Sequence, residues 1–384
     1  MNRAIFSIKT IGYIIIVALV ITVSGCKEKF PFPQSAIDKS YLVVEGFINI
    51  GNDSTRIKLS RTVTPDDSLL IRPERSALVL VESSSGYSQY LFETGAGEYT
   101  AGPLAISPAE KYRLSIQTNN GKQYLSDFVD VKQVPPIDSI SWVRTAGGIQ
   151  VYANTHDPQN ATRYYAWQFN ETWEFRSNYI SNWEYINEMM VPRYNPSGLY
   201  TCWQSAASTS ILIGSSAKLT NDVIHRAPLA FIPDDSWKLS VKYSINVKQS
   251  ALSKGAFDYL EKMKKNSEQM GSIFDPQPST SSGNIYCSTD PNEMVIGYMY
   301  ASSIVEKRIF INRSEVPGWR YNLYCEVITV PNNRDSLDLA FTGNYNLVIN
   351  EIRERGFLLG YTGSTGLCID CTLRGTNVKP DFWP

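Results

Sequence analysis

Histidine is almost absent from this chain, which leaves few ways to assemble a familiar catalytic set. Only two occur in 384 residues, His156 and His225, and neither has a second ligand nearby at metal-site spacing. The G-x-S-x-G, H-E-x-x-H and Walker A patterns are missing as well. The sequence therefore predicts no enzyme, no metal and no cofactor. A hydrolase whose carboxylates come from distant segments would leave no local motif and stays a minor alternative.

An excess of charge is also lacking. Lys and Arg total 36 against 37 Asp and Glu, a formal net charge of −1. Such a balance gives no electrostatic reason to bind nucleic acid. No stretch after residue 26 is apolar enough to cross a bilayer as a helix of roughly 20 residues.

The N-terminus has the pattern of a lipoprotein signal peptide. Arg3 and Lys9 precede an apolar run over residues 11–23, which suits a signal-peptide core and is short for a membrane span. The run ends in Val-Ser-Gly followed by Cys26, the order of a lipobox. We expect cleavage after residue 25 and lipidation of the Cys26 sulfur, with a further acyl chain on its amine. Two or more chains anchor a protein stably to a membrane.

Residues 26–39 are predicted to be a lipidated tether, because they are polar, lack periodicity and contain Pro31 and Pro33. Lys27, Glu28 and Lys29 place charge directly after the cysteine, which partly matches a signal for export to the cell surface. The expected location is the outer membrane, lipid-anchored and facing the exterior. A plain solvated linker remains the alternative.

Residues 40–134 predict an immunoglobulin-like β-sandwich. Short alternating or buried-type runs recur over about 95 residues, separated by turn sequences such as Asn119-Asn120-Gly121. Pro135 and Pro136 end the pattern, since proline cannot donate to a strand ladder. We place a domain boundary there.

Residues 137–384 predict a larger, mostly β domain with one or two helical insertions. One helix is expected within residues 250–270, because Ala256, Leu260 and Met263 fall on one helical face after a possible N-cap at Ser253. A second helix is expected over residues 345–356. The fold class is thus all-β with minor helix.

Five cysteines follow Cys26, and an exported location permits disulfides. Cys368-x-x-Cys371 is also compatible with half a zinc site or a redox pair, although a second C-x-x-C and a βαβ context are missing. We favour structural disulfides with one thiol left over. The candidates are Cys202, Cys287, Cys325, Cys368 and Cys371.

An aromatic segment is the best candidate for ligand or partner binding. Alternation over residues 165–175 places large rings on one face of a strand, and more follow within thirty residues. Rings with polar edges suit sugars, peptide side chains or a partner protein. The other interpretation is an aromatic core. The binding candidates are Trp167, Trp173, Phe175, Tyr179, Trp183 and Tyr185.

Several of these segments together resemble the Bacteroidota lipoprotein family known as domain of unknown function 4249. The resemblance rests on Tyr-Leu-Val-Val-Glu-Gly at 41–46, on Val-Pro-Pro-Ile-Asp-Ser-Ile at 134–140, and on Cys-Ile-Asp-Cys-Thr-Leu-Arg-Gly-Thr-Asn at 368–377. The resemblance implies that the protein acts as a companion of TonB-dependent outer-membrane transporters. It assigns no catalytic residue.

The sequence and the resemblance lead to one functional expectation. A lipid-anchored, non-catalytic protein is expected to bind a nutrient, of unknown identity, or to cap a TonB-dependent transporter. A structural or adhesive cell-surface lipoprotein is the alternative.

Overall fold

The computed structural model describes residues 40–63, 71–268, 283–343 and 345–384. The predicted signal peptide, Cys26 and the predicted tether lie outside these ranges. The described chain is mostly β with a few helices, which confirms the predicted fold class. None of its helices is both long and apolar enough to pass through a membrane.

Three units follow from the strand pairing, and their elements are named here in chain order. The first strands are β1 Leu42–Asn49, β2 Thr55–Arg61, β3 Arg72–Pro73, β4 Leu78–Ser83, β5 Ser88–Gly95, β6 Glu98–Ala101, β7 Lys111–Gln117, β8 Gln123–Ser126 and β9 Val129–Lys132. The next strands are β10 Ile137–Thr145, β11 Gly148–Asp157, β12 Tyr164–Arg176, β13 Trp183–Ile186, β14 Met189–Pro192, β15 Thr201–Ala207, β16 Leu212–Ser215, β17 Asp222–Pro233 and β18 Lys242–Ala251. The last strands are β19 Ile285–Cys287, β20 Val295–Ile296, β21 Ala301–Ser302, β22 Ile304–Asn312, β23 Ile328–Pro331, β24 Asn346–Glu354 and β25 Phe357–Thr365. The helices are α1 Lys254–Glu268, α2 Arg334–Phe341 and α3 Gly366–Ile369.

The first unit is a sheet whose path closes on itself. Its strand order runs β7-β4-β5-β6-β2-β1-β21-β9, and β9 pairs back to β7. Alternation of buried and exposed residues, as in β7, directs one set of side chains to a common interior. The predicted sandwich therefore has its edges joined into a barrel-like sheet.

Residues 285–302 belong to this first unit although the sequence assigns 137–384 to the second domain. Strand β19 pairs with β8, while β20 and β21 pair in parallel with β1. Val295 and Met299 lie in the same core cluster as Leu42. A parallel strand needs a long connection, and the intervening second unit supplies it, so this pairing leaves no local sequence signal.

The second unit packs two antiparallel sheets around the largest core cluster. One sheet has the order β10-β11-β17 and the other β15-β12-β18-β22, with β16 also on β12. The odd-numbered residues of β12 share one face, as the alternation predicts, and the structure buries that face between the two sheets. Helix α1 follows β18, and Ser253 accepts a hydrogen bond from the Ala256 amide at 3.2 Å, so the predicted helix and its N-cap are confirmed.

A third unit, the C-terminal module, combines hairpin β13–β14, sheet β23-β25-β24, and helices α2 and α3. The helix predicted over 345–356 is wrong, because these residues form strand β24 of a hairpin. Arg355 and Gly356 have φ of 50° and 87°, the left-handed pair that closes a tight two-residue turn. Pairing of Glu354 with Phe357 then fixes the strand register.

Candidate functional site

The main candidate site is a cleft of about 370 Å³ between the first and second units. Strand β1 and residues from 296–300 form one wall, strands β12, β16 and β18 form the other, and helix α1 closes one side. Ligand sites commonly occupy such junctions and have volumes of about 300–1,000 Å³. The cleft therefore has the position and size of a small-molecule site.

Apolar and aromatic side chains line both sides of the cleft, and the second-unit wall adds uncharged polar residues such as Gln168 and Ser210. Phe47 of β1 stacks on Tyr300, with ring centroids 4.9 Å apart and planes 8° apart. Tyr259 of α1 contacts Tyr298 at 5.6 Å between centroids. Burial raises the pKa of Tyr300 to about 12. A hydrogen bond with Ser250 lowers this pKa, but its effect is smaller than that of burial. The Tyr300 hydroxyl is therefore neutral at physiological pH.

A glycine brings the first-unit strands close enough to shape this wall. Gly297 has φ of 150°, and a Cβ there would lie 2.5 Å from the carbonyl oxygen of Val44. Only glycine accepts both this conformation and this approach. The side chains of Ile296 and Tyr298 then contribute to the cleft on either side of it.

Charge is scarce in the cleft. Of the described residues that line it, only Glu45 and Lys248 carry charge. Lys248 Nζ lies 2.8 Å from Glu306 Oε1, and Glu45 Oε2 lies 3.7 Å from Lys58 Nζ. Because both charges have partners already, the cleft favours an uncharged ligand with an apolar body.

The predicted aromatic segment is divided between core and surface, and three of its six candidates lie in the core. Trp167, Trp173 and Phe175 are at most 3 % exposed. They do not form an open ring surface, because β12 is a central strand and the opposing sheet covers its aromatic face. Trp167 borders the cleft from within the core. Trp173 and Phe175 instead pack against Trp237, at 5.5 and 4.7 Å between centroids.

The other three candidates are partly exposed and lie at the C-terminal module. The Tyr179 hydroxyl donates to the carbonyl oxygen of Cys325 at 3.0 Å, and Trp183 packs edge-on against Tyr361 at 5.8 Å. Tyr185 donates to Asp338 Oδ1 at 2.6 Å, and this hydrogen bond, with burial, raises the pKa of Tyr185 to about 12. Tyr185 lines two cavities, both distinct from the cleft.

The disulfide candidates form two bridges and leave one thiol. Cys202 is bonded to Cys371, and Cys325 to Cys368. Cys287 is a buried free cysteine in strand β19 of the first unit, so it is not a disulfide residue but the one thiol that was expected to be left over. Cys368 and Cys371 each bond a distant partner, which rules out the zinc and redox interpretations of the C-x-x-C sequence.

The histidines form no catalytic constellation with each other. His156 Nδ1 lies 2.8 Å from Asp138 Oδ2, and this hydrogen bond raises the pKa of His156. His225 lies on strand β17, before Arg226. Within the described ranges, no group of three or more His, Cys, Asp or Glu side chains is placed to hold a metal ion.

Most residues of the cleft were not identified from the sequence. Phe47, Tyr298, Tyr300 and Ile213 come from segments far apart in the chain, so no local spacing connects them. The helix face that includes Met263 was recognisable, and it does line the cleft. The apolar face of this helix was therefore a sequence feature that pointed to the cleft.

The fold and the cleft define a multi-unit β-protein with a mostly apolar site at a junction between units. The family model described as Domain of unknown function (DUF4249) matches residues 27–308, and the chain belongs to this family. The match includes the first unit and nearly all of the second, but not the 368–377 segment on which the resemblance also rested. No curated protein matches the chain.

Proposed function

We propose that this protein is a lipid-anchored, non-catalytic binding protein of the outer membrane that holds an uncharged nutrient in the cleft. The observation that carries the proposal is the cleft itself, with apolar walls from two units and paired charges at its margin. Such a site is better suited to binding a ligand than to catalysing its reaction. Catalysis requires side chains placed to transfer protons or to form covalent bonds with the substrate.

The anchor and the tether support a role beside a membrane transporter. The signal and lipobox precede a tether of about thirteen residues, whose r.m.s. reach is roughly 20 Å if flexible. The family match begins at residue 27, directly after the proposed lipidated cysteine. Tethering raises the local concentration at a neighbouring partner, so a weak interface is enough for capping. The proposed partner is a TonB-dependent transporter at the cell exterior.

The cleft is tested with Nile red, a neutral apolar fluorophore, and with the mature chain expressed from residue 27. Saturable one-to-one binding is expected. Ala166 lines the cleft, so Ala166→Trp should fill it and weaken binding about tenfold or more. Ala96→Trp makes the same change at an exposed turn of the first unit and should leave binding unchanged. Equal binding by both variants would overturn the assignment of the cleft.

The transporter role is tested separately by pull-down of the tagged lipoprotein from gently solubilised outer membranes. A TonB-dependent barrel should be recovered with it. Good recovery of the lipoprotein without any such barrel, in repeated preparations, would move the interpretation to a structural or adhesive protein.

A further inference from the structure

Several large apolar side chains are exposed to solvent close together on the C-terminal module. Leu339 on helix α2 is 89 % exposed, and Leu373 is 59 % exposed. Ile186 and Met189 flank the two-residue turn of hairpin β13–β14, where Asn187 and Glu188 both have positive φ. Scattered apolar residues are ordinary, but a concentration of them marks an interaction surface.

Ile186, Leu339 and Leu373 border two adjoining cavities, which together we call the module groove, and Met189 lies beside them in the hairpin. One cavity, of about 350 Å³, lies between the hairpin, strand β24 and Leu373. The other lies between the hairpin turn and helix α2, beside Leu339. Tyr185 and Phe341 line both cavities, so the two cavities lie side by side.

The charged residues along the module groove are mostly acidic. Arg193 is the one cation among the described lining residues of both cavities, and it pairs with Glu184 at 2.9 Å. The carboxylates that line the groove are Glu184, Glu188, Asp335, Asp338 and Asp370. Arg334, on helix α2, pairs with Glu188 and lies 3.7 Å from Asp338 Oδ2. The carboxylates still outnumber the nearby cations, so the groove combines apolar contact area with net negative charge.

The module groove is held in place before any partner arrives. Cys202–Cys371 joins the module to strand β15 of the second unit, and Cys325–Cys368 closes a loop of the module itself. The Tyr185 hydroxyl bonded to Asp338 connects the hairpin to helix α2. A preorganised surface loses less conformational freedom on binding and so binds more tightly for the same contacts.

We propose that the module groove binds a segment of a partner protein that carries aliphatic and cationic side chains. Aliphatic groups would enter the cavities, and Lys or Arg would face the carboxylates. The proposal is independent of the nutrient cleft, since the two sites share no lining residue.

The charge of the module groove argues against two other occupants. A second copy of this chain, docked through the same surface about a two-fold axis, would bring the same carboxylates together. An anionic membrane surface would be repelled by them, since such surfaces attract basic segments. A basic, aliphatic protein segment is the occupant that matches both the shape and the charge.

Methyl NMR of the mature chain labelled with ¹³C-methyl methionine tests the proposal. The probe is a synthetic twelve-residue peptide of alternating Leu and Lys. Saturable shifts are expected at Met189 and Met190 in the hairpin. Met263 lines the cleft and should not shift. A peptide with Glu in place of each Lys should bind about tenfold more weakly or worse, and added salt should weaken binding of the Lys peptide.

Two double variants separate this surface from general attraction to a cationic peptide. Asp335→Asn with Leu339→Asn removes one charge and one apolar group from the module groove, and should weaken binding about tenfold. Phe92→Asn with Glu98→Gln makes the matched change on exposed residues of the first unit and should not weaken it. Shifts at Met263 in place of Met189, equal binding of the Glu peptide, or equal loss in both variants would overturn the proposal.

Discussion

The indole Nε1 of Trp167 donates a hydrogen bond to Oε1 of Gln249 across 2.8 Å. The Gln249 amide nitrogen in turn donates to the carbonyl oxygen of Pro135 and to Thr155 Oγ1, each at 3.0 Å. One buried amide thus connects a core aromatic of β12 with the proline segment between the first two units. The aromatic candidate Trp167 consequently has a structural role at the rear of the cleft.

Replacement of Trp167 should therefore cost stability before it affects any ligand. Trp167→Ala is expected to lower the free energy of unfolding by about 3–5 kcal/mol, because it leaves a large cavity. Trp167→Phe should cost about 1–3 kcal/mol through the unpaired Gln249 oxygen. Urea unfolding measures both. Tyr194→Ala, at a fully exposed ring, should change little. Identical urea midpoints for Trp167→Ala and Tyr194→Ala would contradict the core assignment.

The disulfide between Cys202 and Cys371 should account for a large part of the module's attachment. The two residues are 169 positions apart, so the bond removes much freedom from the unfolded chain. The double variant Cys202→Ser with Cys371→Ser should lose about 2–5 kcal/mol in unfolding free energy. Thermal unfolding monitored by circular dichroism under non-reducing conditions is the measurement.

Peptide mapping without reduction provides the control for this pairing. It should recover the peptides of Cys202 and Cys371 linked, and those of Cys325 and Cys368 linked. Iodoacetamide should modify Cys287 only after denaturation, because its thiol is buried. A bridge between Cys368 and Cys371, or rapid labelling of Cys287 in the native protein, would show the pairing to be wrong.

Acid should destabilise the first unit through Glu293. Burial tends to raise its pKa, but hydrogen bonds from Lys122, Tyr124 and Arg61 lower the pKa below the ordinary value of 4.5. Glu293 Oε1 lies 2.6 Å from the Tyr124 hydroxyl and 3.0 Å from Arg61 Nη1. A depressed folded-state pKa contributes stability above the unfolded pKa and loses it as pH falls through the folded value.

Glu293→Gln should therefore flatten the acid limb of the stability profile, with a loss of about 1–3 kcal/mol at pH 7. Urea midpoints from pH 7 down to pH 3 measure the effect. Glu98→Gln, which removes a carboxylate paired with Arg56 at the surface, serves as the control and should follow the unmodified protein. A Glu293→Gln profile parallel to that of the unmodified protein would refute the linkage.

Cys26 should be required for membrane attachment. Cys26→Ser removes the sulfur that would carry the lipid, so the chain should lose membrane association and stay soluble or uncleaved. Carbonate washing followed by fractionation measures this. A serine variant that still sediments with washed membranes would exclude lipid on Cys26 as the anchor.

Local patterns predicted much of the secondary structure correctly. Alternation located strands such as β2, β7 and β12, and periodicity with a serine N-cap located helix α1. Pro135 and Pro136 lie between strand β9 of the first unit and strand β10 of the second. Each of these features depends on neighbours in the chain, so the sequence contains the required information.

Residues 345–356 show where local pattern failed. A spacing of four residues, as between Leu347, Glu351 and Arg355, is compatible with a helix. Pairing with β25 instead makes the segment a strand. Strand propensity depends on the partner available, and the partner here becomes known only from the hairpin.

By itself, the sequence determined the β class and the number of bridges that five cysteines allow, whereas the signal peptide, lipobox and tether stay predictions. Only the tertiary structure decided which cysteines pair, that residues 285–302 return to the first sheet, and which face of β12 is buried. It also assembled the cleft and the module groove. The physical reason is common to all of these: each depends on contacts between residues far apart in the chain, and periodicity reports only on residues a few positions apart.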